Sequence, residues 1–128
     1  MYAMTDEEFE AAVADAIDSI PESLAAELEN IVFFVEDEPT PEQLGSDGLY
    51  AESGDLLGLY EGVSLLDRAE GYGMPGDLPD AITIFKGPHE RLEGDREEIL
   101  EEVRRTVVHE VGHYFGMDEE RIARMGYA

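Results

Sequence analysis

Apolar residues follow two rhythms along this chain. Between residues 6 and 19 they recur at helical spacing, at Phe9, Ala12, Val13, Ala16 and Ile17, which predicts a helix with one face buried. Thr5 ahead of Asp6-Glu7-Glu8 forms a capping box: the threonine accepts from first-turn amides and Glu8 reaches back. Ser19-Ile20-Pro21 breaks this helix, and Pro21 suits the first turn of a second, short one with Leu24, Ala25 and Leu28 inward. Residues 31–35, IVFFV, are β-branched and aromatic and predict a buried strand. A long connection rich in proline, glycine and acids follows over residues 36–55, of the kind that is usually a functional loop or a mobile one. Residues 56–63, LLGLYEGV, predict a second strand whose glycines imply close backbone approach or a bulge. After a loop over residues 70–80, AITIF at 81–85 predicts a third strand, ended by Lys86-Gly87-Pro88. From 95 to 115 the helical period returns. Asp95 caps this helix, Glu97 and Glu98 suit its positive end, and Ile99, Leu100, Val103, Val107, Val111 and Tyr114 make one apolar side. Gly116 stops it. Asp118 then caps a last short helix, EERIARM.

This order predicts a single α+β domain over residues 1–128: a three-stranded sheet packed on one long helix, with short helices at the N- and C-terminal ends. The length of 128 residues suits one modest core. The chain has no cysteine, so disulfides, thiolate metal sites and cysteine nucleophiles are excluded, and any metal must be held by nitrogen and oxygen. The net charge is −24 and Lys86 is the sole lysine. Such a chain repels nucleic acid and anionic membrane, so neither is an expected partner. The plain reading of the acids is a solvated surface. Attraction to a basic partner and mimicry of a phosphate backbone are the alternatives, and no single acidic tail marks a docking site. The first residues lack a signal peptide's basic and apolar regions, and no apolar run reaches membrane-span length, so the cytoplasm is the expected compartment.

The chemistry concentrates in the long helix. His109-Glu110-Val111-Gly112-His113 is an HExxH pattern. His109 and His113 lie one turn apart on one face, so their rings can converge on one ion. Glu110 stands about 100° round from His109, placed to hold a water without being a ligand. A metal there acidifies that water and polarises a scissile carbonyl, while Glu110 moves the proton to the leaving amine. Two of the chain's three histidines are spent on the pattern. Gly112 stands mid-helix at a cost of about 1 kcal/mol against alanine, which implies that something packs closely there. The competing reading is an exposed histidine pair on an amphipathic helix.

A catalytic zinc takes three protein ligands, and the pattern supplies two. The sequence continues HEVGHYFGMDE. Gly116 occupies the glycine place of the extended HExxHxxGxxH pattern, where the chain turns straight back to the metal, and Glu119 stands where the third histidine would be. Glu119 is the first choice for third ligand, Asp118 its rival although it also serves as a cap, and Glu120 a distant third. His89, in GPHER, could line the cleft but reads better as a surface loop residue. Tyr114 and Tyr127 could donate to an oxyanion; packing is the simpler role for Tyr114, as core is for Met125.

The run TIFKGP, the helix EEILEEVRRTVVHEVGHYFGMDEERI and the segment LLGLYEGVSLLDR resemble a family of small bacterial proteins classed as zinc metallopeptidases, over roughly residues 5–127. The resemblance implies a minimal zincin fold and a metal site, and more firmly a metal than a substrate. In that family an acid, commonly aspartate, follows the glycine turn; here Glu119 holds that place beside Asp118.

The function expected first is a monomeric zinc (Zn2+) metallopeptidase acting on a peptide or protein. Its substrate would lie along an edge strand near residues 57–63 or 81–85. One alternative keeps the zinc but not the catalysis, leaving a silent interaction domain with an acidic surface. Another is an acidic, metal-free interaction protein.

Overall fold

The computed structural model describes residues 3–20, 22, 28, 31–45, 48–51, 53–62, 80–116 and 120. Among these the architecture is α+β, with a four-stranded mixed sheet and three helices. The elements are α1 (Asp6–Asp18), β1 (Ile31–Glu36), β2 (Leu49–Tyr50), β3 (Leu56–Glu61), β4 (Asp80–Phe85), α2 (Lys86–Glu90) and α3 (Arg96–Tyr114). No helix among the described residues is long and apolar enough to cross a membrane.

The strand order is β1-β4-β3-β2. β1 runs parallel to β4 in a register that sets Phe33 beside Ile82 and Val35 beside Ile84. β3 pairs antiparallel with β4, setting Gly58 beside Ile84, and β2 pairs antiparallel with β3 across a register shift at Leu49 and Tyr50. Alternate residues of a strand face opposite sides. Ile82 and Ile84 therefore face the helices, where they join Phe9 and Val13 of α1 and Ile99, Val103 and Val107 of α3 in the main core. Phe85 lies on the other face in a smaller cluster with Leu56 and Leu59.

Both long helices start as their sequences dictate. The Glu8 amide donates to Thr5 Oγ1 at 3.0 Å, and the Glu98 amide donates to Asp95 Oδ1 at 2.9 Å. In each case the glutamate side chain also accepts from the cap residue's own amide. Two first-turn donors that the helix leaves over are thus satisfied at each start. Gly116, at φ 78°, closes α3, and its amide donates to the His113 carbonyl at 2.9 Å. That left-handed turn is cheap only for glycine.

Three sequence expectations change. The sheet has four strands rather than three, because β2 forms inside the acidic connection; a two-residue strand leaves no periodicity to read. β1 is not buried on both faces: it is an edge strand, with Val32 41% and Phe34 46% exposed. Lys86-Gly87-Pro88 does not simply end a strand but opens α2, with Pro88 in a first turn that needs no amide from it. The connection is anchored at two points, because Arg91 Nη1 and Nη2 each donate to Glu38 at 2.8 Å and Nη2 donates to Asp55 at 3.0 Å. Of the short helix expected after Pro21 only residues 22 and 28 are described, and the loop over 70–80 is described only at Asp80; Val63 and the expected last helix, apart from Glu120, also lie outside the described residues.

The glycine of β3 sets how closely α3 lies on the sheet. A Cβ on Gly58 would stand 2.5 Å from Thr106 Cγ2, 3.3 Å from Glu110 Cγ and 3.5 Å from Ile84 Cδ1. Adding that methyl overpacks a well-filled interface. Gly58→Ala should therefore cost about 1–3 kcal/mol in urea denaturation. Gly45→Ala, whose Cβ would meet nothing within 4 Å, should stay within about 0.5 kcal/mol of wild type.

Candidate metal centre

Helix α3 places its polar residues on a continuation of its apolar face. Ile99, Val103, Thr106, Val107, Glu110, Val111 and Tyr114 are all buried along it. His109, also buried, and the half-buried His113 border that arc. The helical period explains the order: Thr106 and Glu110 are one turn apart and both meet the backbone of Gly58, while His109 and His113 form the adjacent row.

The two imidazoles are already convergent. His109 Nε2 and His113 Nε2 lie 3.1 Å apart, with ring centroids 4.8 Å apart and planes at 71°. At that distance at most one of the facing nitrogens carries a hydrogen, so a lone pair is available between them. Two nitrogens bound tetrahedrally to one zinc, each about 2.0–2.1 Å from it, would stand about 3.3 Å apart. The observed spacing fits that requirement closely. One ligand atom from each of His109, Glu110 and His113 can be chosen so that all lie within 4.8 Å of one another. The two imidazole nitrogens suit zinc as ligands, and the Glu110 carboxylate stands beside them, placed to hold a water rather than to be a ligand. The donor set therefore fits the ion.

Glu110 is 1% exposed. Its stem passes over Gly58 of β3, so the carboxylate belongs to the helix–strand interface rather than to a solvated helix face. His109, 3% exposed, departs from the competing picture of an exposed histidine pair, while His113 is half-buried. Gly112 is buried, in keeping with a position where packing is close. Asp118 and Glu119, the two candidates for third ligand, lie outside the described residues, as do Met125 and Tyr127. Glu120 is exposed.

Tyr114 packs. It is 2% exposed and meets Tyr60 edge-on with centroids 6.1 Å apart. Tyr60 in turn donates its hydroxyl to Asp80 Oδ2 at 2.7 Å. These contacts tie the C-terminal end of α3 to β3 and to the start of β4.

His89 is neither at the surface nor in the histidine pair. It is fully buried beneath Phe9, with Nδ1 2.7 Å from the Phe85 carbonyl and Nε2 2.9 Å from Thr106 Oγ1. Burial is the main cause that pushes its pKa down from 6.5 to about 4. The neutral ring donates from Nδ1 to the Phe85 carbonyl, and Nε2 faces the Thr106 hydroxyl, whose one hydrogen also has the Glu102 carbonyl as an acceptor at 2.8 Å. Thr106 thus links two regions: its hydroxyl meets His89 while its methyl packs toward Gly58, one turn before Glu110. Sequence reasoning passed over Thr106. The available signal was a polar residue on the core side of the helix, spaced one turn from the glutamate.

A family model for zincin-like metallopeptidases matches residues 28–127. Among solved structures, the chain is similar to a conserved hypothetical protein from Thermo thermophilus. The two share 24% identity and a TM-score of 0.56, over 88% of this chain and 94% of that one. That likeness is one of fold. The chain matches none of the curated proteins.

The buried histidine gives stability a pH dependence of defined sign. Unfolded, His89 titrates near 6.5; folded, near 4. Between these values the unfolded chain binds the extra proton, so the contribution is complete above pH 6.5 and declines as pH falls towards 4. Its full size is on the order of 3 kcal/mol. His89→Gln should remove that slope while costing about 1–3 kcal/mol at neutral pH for the altered buried hydrogen bonds. Urea denaturation of chelator-treated protein from pH 7 to pH 4 checks this; identical slopes for wild type and variant would refute it.

Proposed function

The chain belongs to the zincin-like metallopeptidase family, and on that footing we propose that it is a minimal zinc peptidase. His109 and His113 are two of its metal ligands and Glu110 is its general base. The observation that carries this reading is the pair of Nε2 atoms 3.1 Å apart beside a buried glutamate. Glu119, by its place after the glycine turn, is the third ligand, with Asp118 the alternative.

When bound, zinc supplies a Lewis acid that polarises the scissile carbonyl and acidifies water. Glu110 takes a proton from the attacking water as its oxygen bonds to the carbonyl carbon. It delivers that proton to the leaving nitrogen as the C–N bond breaks. Fixing Glu110 between α3 and β3 holds the carboxylate in one orientation, which lowers the cost of reaching the reactive geometry.

The substrate is an extended peptide. β2 pairs with β3 at Leu56 and Gly58, and β3 runs on to Glu61 beyond the end of that short strand. This stretch runs beside the Glu110–Tyr114 end of α3. A peptide added there as a strand would draw main-chain hydrogen bonds from β3. Residues 81–85, the other docking edge considered from sequence, form a central strand between β1 and β3 and offer no edge. The charge of −24 disfavours nucleic acid and favours peptides carrying basic residues.

Calorimetric titration of chelator-treated protein should show one zinc per chain, with an affinity of about a micromolar or tighter. His113→Ala should weaken it at least about a hundredfold, since a metal ligand is lost. A fluorogenic peptide library should be cleaved by the zinc-loaded protein and not after chelation. Glu110→Gln should keep the zinc and lose turnover. No zinc uptake by wild type would end the proposal at its first step, whereas zinc uptake without cleavage would select the catalytically silent metal domain.

A further inference from the structure

The other end of the sheet carries a second binding feature. β1 is an edge strand six residues long, which pairs only with β4 among the described residues. Its two faces are both apolar. On the outer face Val32 and Phe34 are 41% and 46% exposed. On the helix face Ile31 and Phe33 line an open groove of about 630 Å³ with Ile17 and Ile20, and Asp18 and Glu22 stand at its rim. A strand added alongside β1 would send alternate side chains to opposite faces, one set into the groove and the other against Val32 and Phe34.

Charge decides what that strand is. Asp18 and Glu22 lie at the groove beside the start of β1, while exposed Glu36 and Asp37 follow at its end. A second copy of the chain would bring another −24 charges to the same edge, and like charge resists that pairing. We propose that β1 is a docking edge for an extended segment of another protein, with alternating apolar residues over about five positions and lysine or arginine at both ends. This edge is separate from the candidate metal centre. β1 and β3 are two strand spacings apart, about 10 Å, with β4 between them.

The test is fluorescence anisotropy of the full chain, in chelator, with a labelled nonapeptide of alternating valine and threonine between paired terminal lysines. The peptide should bind. N-methylation of one alternate set of its amides should weaken binding at least about tenfold, while methylating the other set should change it little, because only one set faces the strand. Replacing the lysines by glutamates should weaken it more than about tenfold, and added salt should weaken the basic peptide. Phe34→Ser, at an exposed position, should weaken binding several-fold without loss of stability. Equal effects of the two methylation patterns, or indifference to Phe34→Ser, would overturn the assignment. So would a wild-type dimer in sedimentation that Phe34→Ser dissolves, since the edge would then belong to a second copy.

Discussion

Helix α3 can lie close enough to the sheet to bury Glu110 only because residue 58 has no side chain. A Cβ there would sit 2.5 Å from Thr106 and 3.3 Å from Glu110. That one contact fixes the height of the helix above β3, and the helical period transmits it. Thr106 and Glu110 occupy the row that meets the glycine, and His109 and His113 the row beside it. Upstream on the same helix, Ile99, Val103 and Val107 fill the space over β4 with Ile82 and Ile84. The core and the candidate site are therefore successive stretches of one interface. Thr106 braces the junction from the other side, holding His89 and through it the first turn after β4.

The scarcity of positive charge shapes the rest. Lys86 pairs with Asp6 at the start of α1, and Arg91 gathers Glu38 and Asp55 onto the end of α2. Arg104 and Arg105 pair with Glu101 and Glu102 along α3. Hydrogen bonds from Arg91 hold both the Glu38 and the Asp55 carboxyls below their usual range. Their contribution is present above the unfolded carboxylate pKa and is lost as pH falls through the lowered folded values. These groups are partly exposed, so solvent and salt keep each pair to at most about 1 kcal/mol. Their effect is chiefly geometric: they set the two ends of the acidic connection against α2, and Asp55 passes that restraint directly to the start of β3.

What the sequence disclosed follows from where the determining forces are local. The limits of α3 were readable because a capping box and a left-handed glycine act within a few residues of the helix ends. The HExxH pattern was readable because its geometry is set by one turn of helix. The glycine in β3 announced close approach but not its partner, which is 48 to 52 positions away in Thr106 and Glu110. IVFFV was misjudged because a wholly apolar run looks the same whether a strand is covered on both faces or left at an edge. His89 was misjudged because its burial depends on α2 folding it beneath Phe9 and against Thr106, contacts that no local pattern encodes.

β3 and the edge strand β1 are built on opposite principles, and the contrast explains how one small layer can carry two separate features. At β3 a glycine removes bulk, lets the helix descend and brings polar chemistry into a buried interface. At β1, Ile31 and Phe33 face Ile17 at the end of α1, Ile20 and Leu28 across an open groove. An edge so apolar on both faces would ordinarily invite association between copies. Here the bordering Asp18, Glu36 and Asp37, within a chain of −24, make like-with-like pairing unfavourable while leaving the backbone edge accessible to a basic strand. The acidic surface thus acts at β1 as a filter on which strand can complete the sheet.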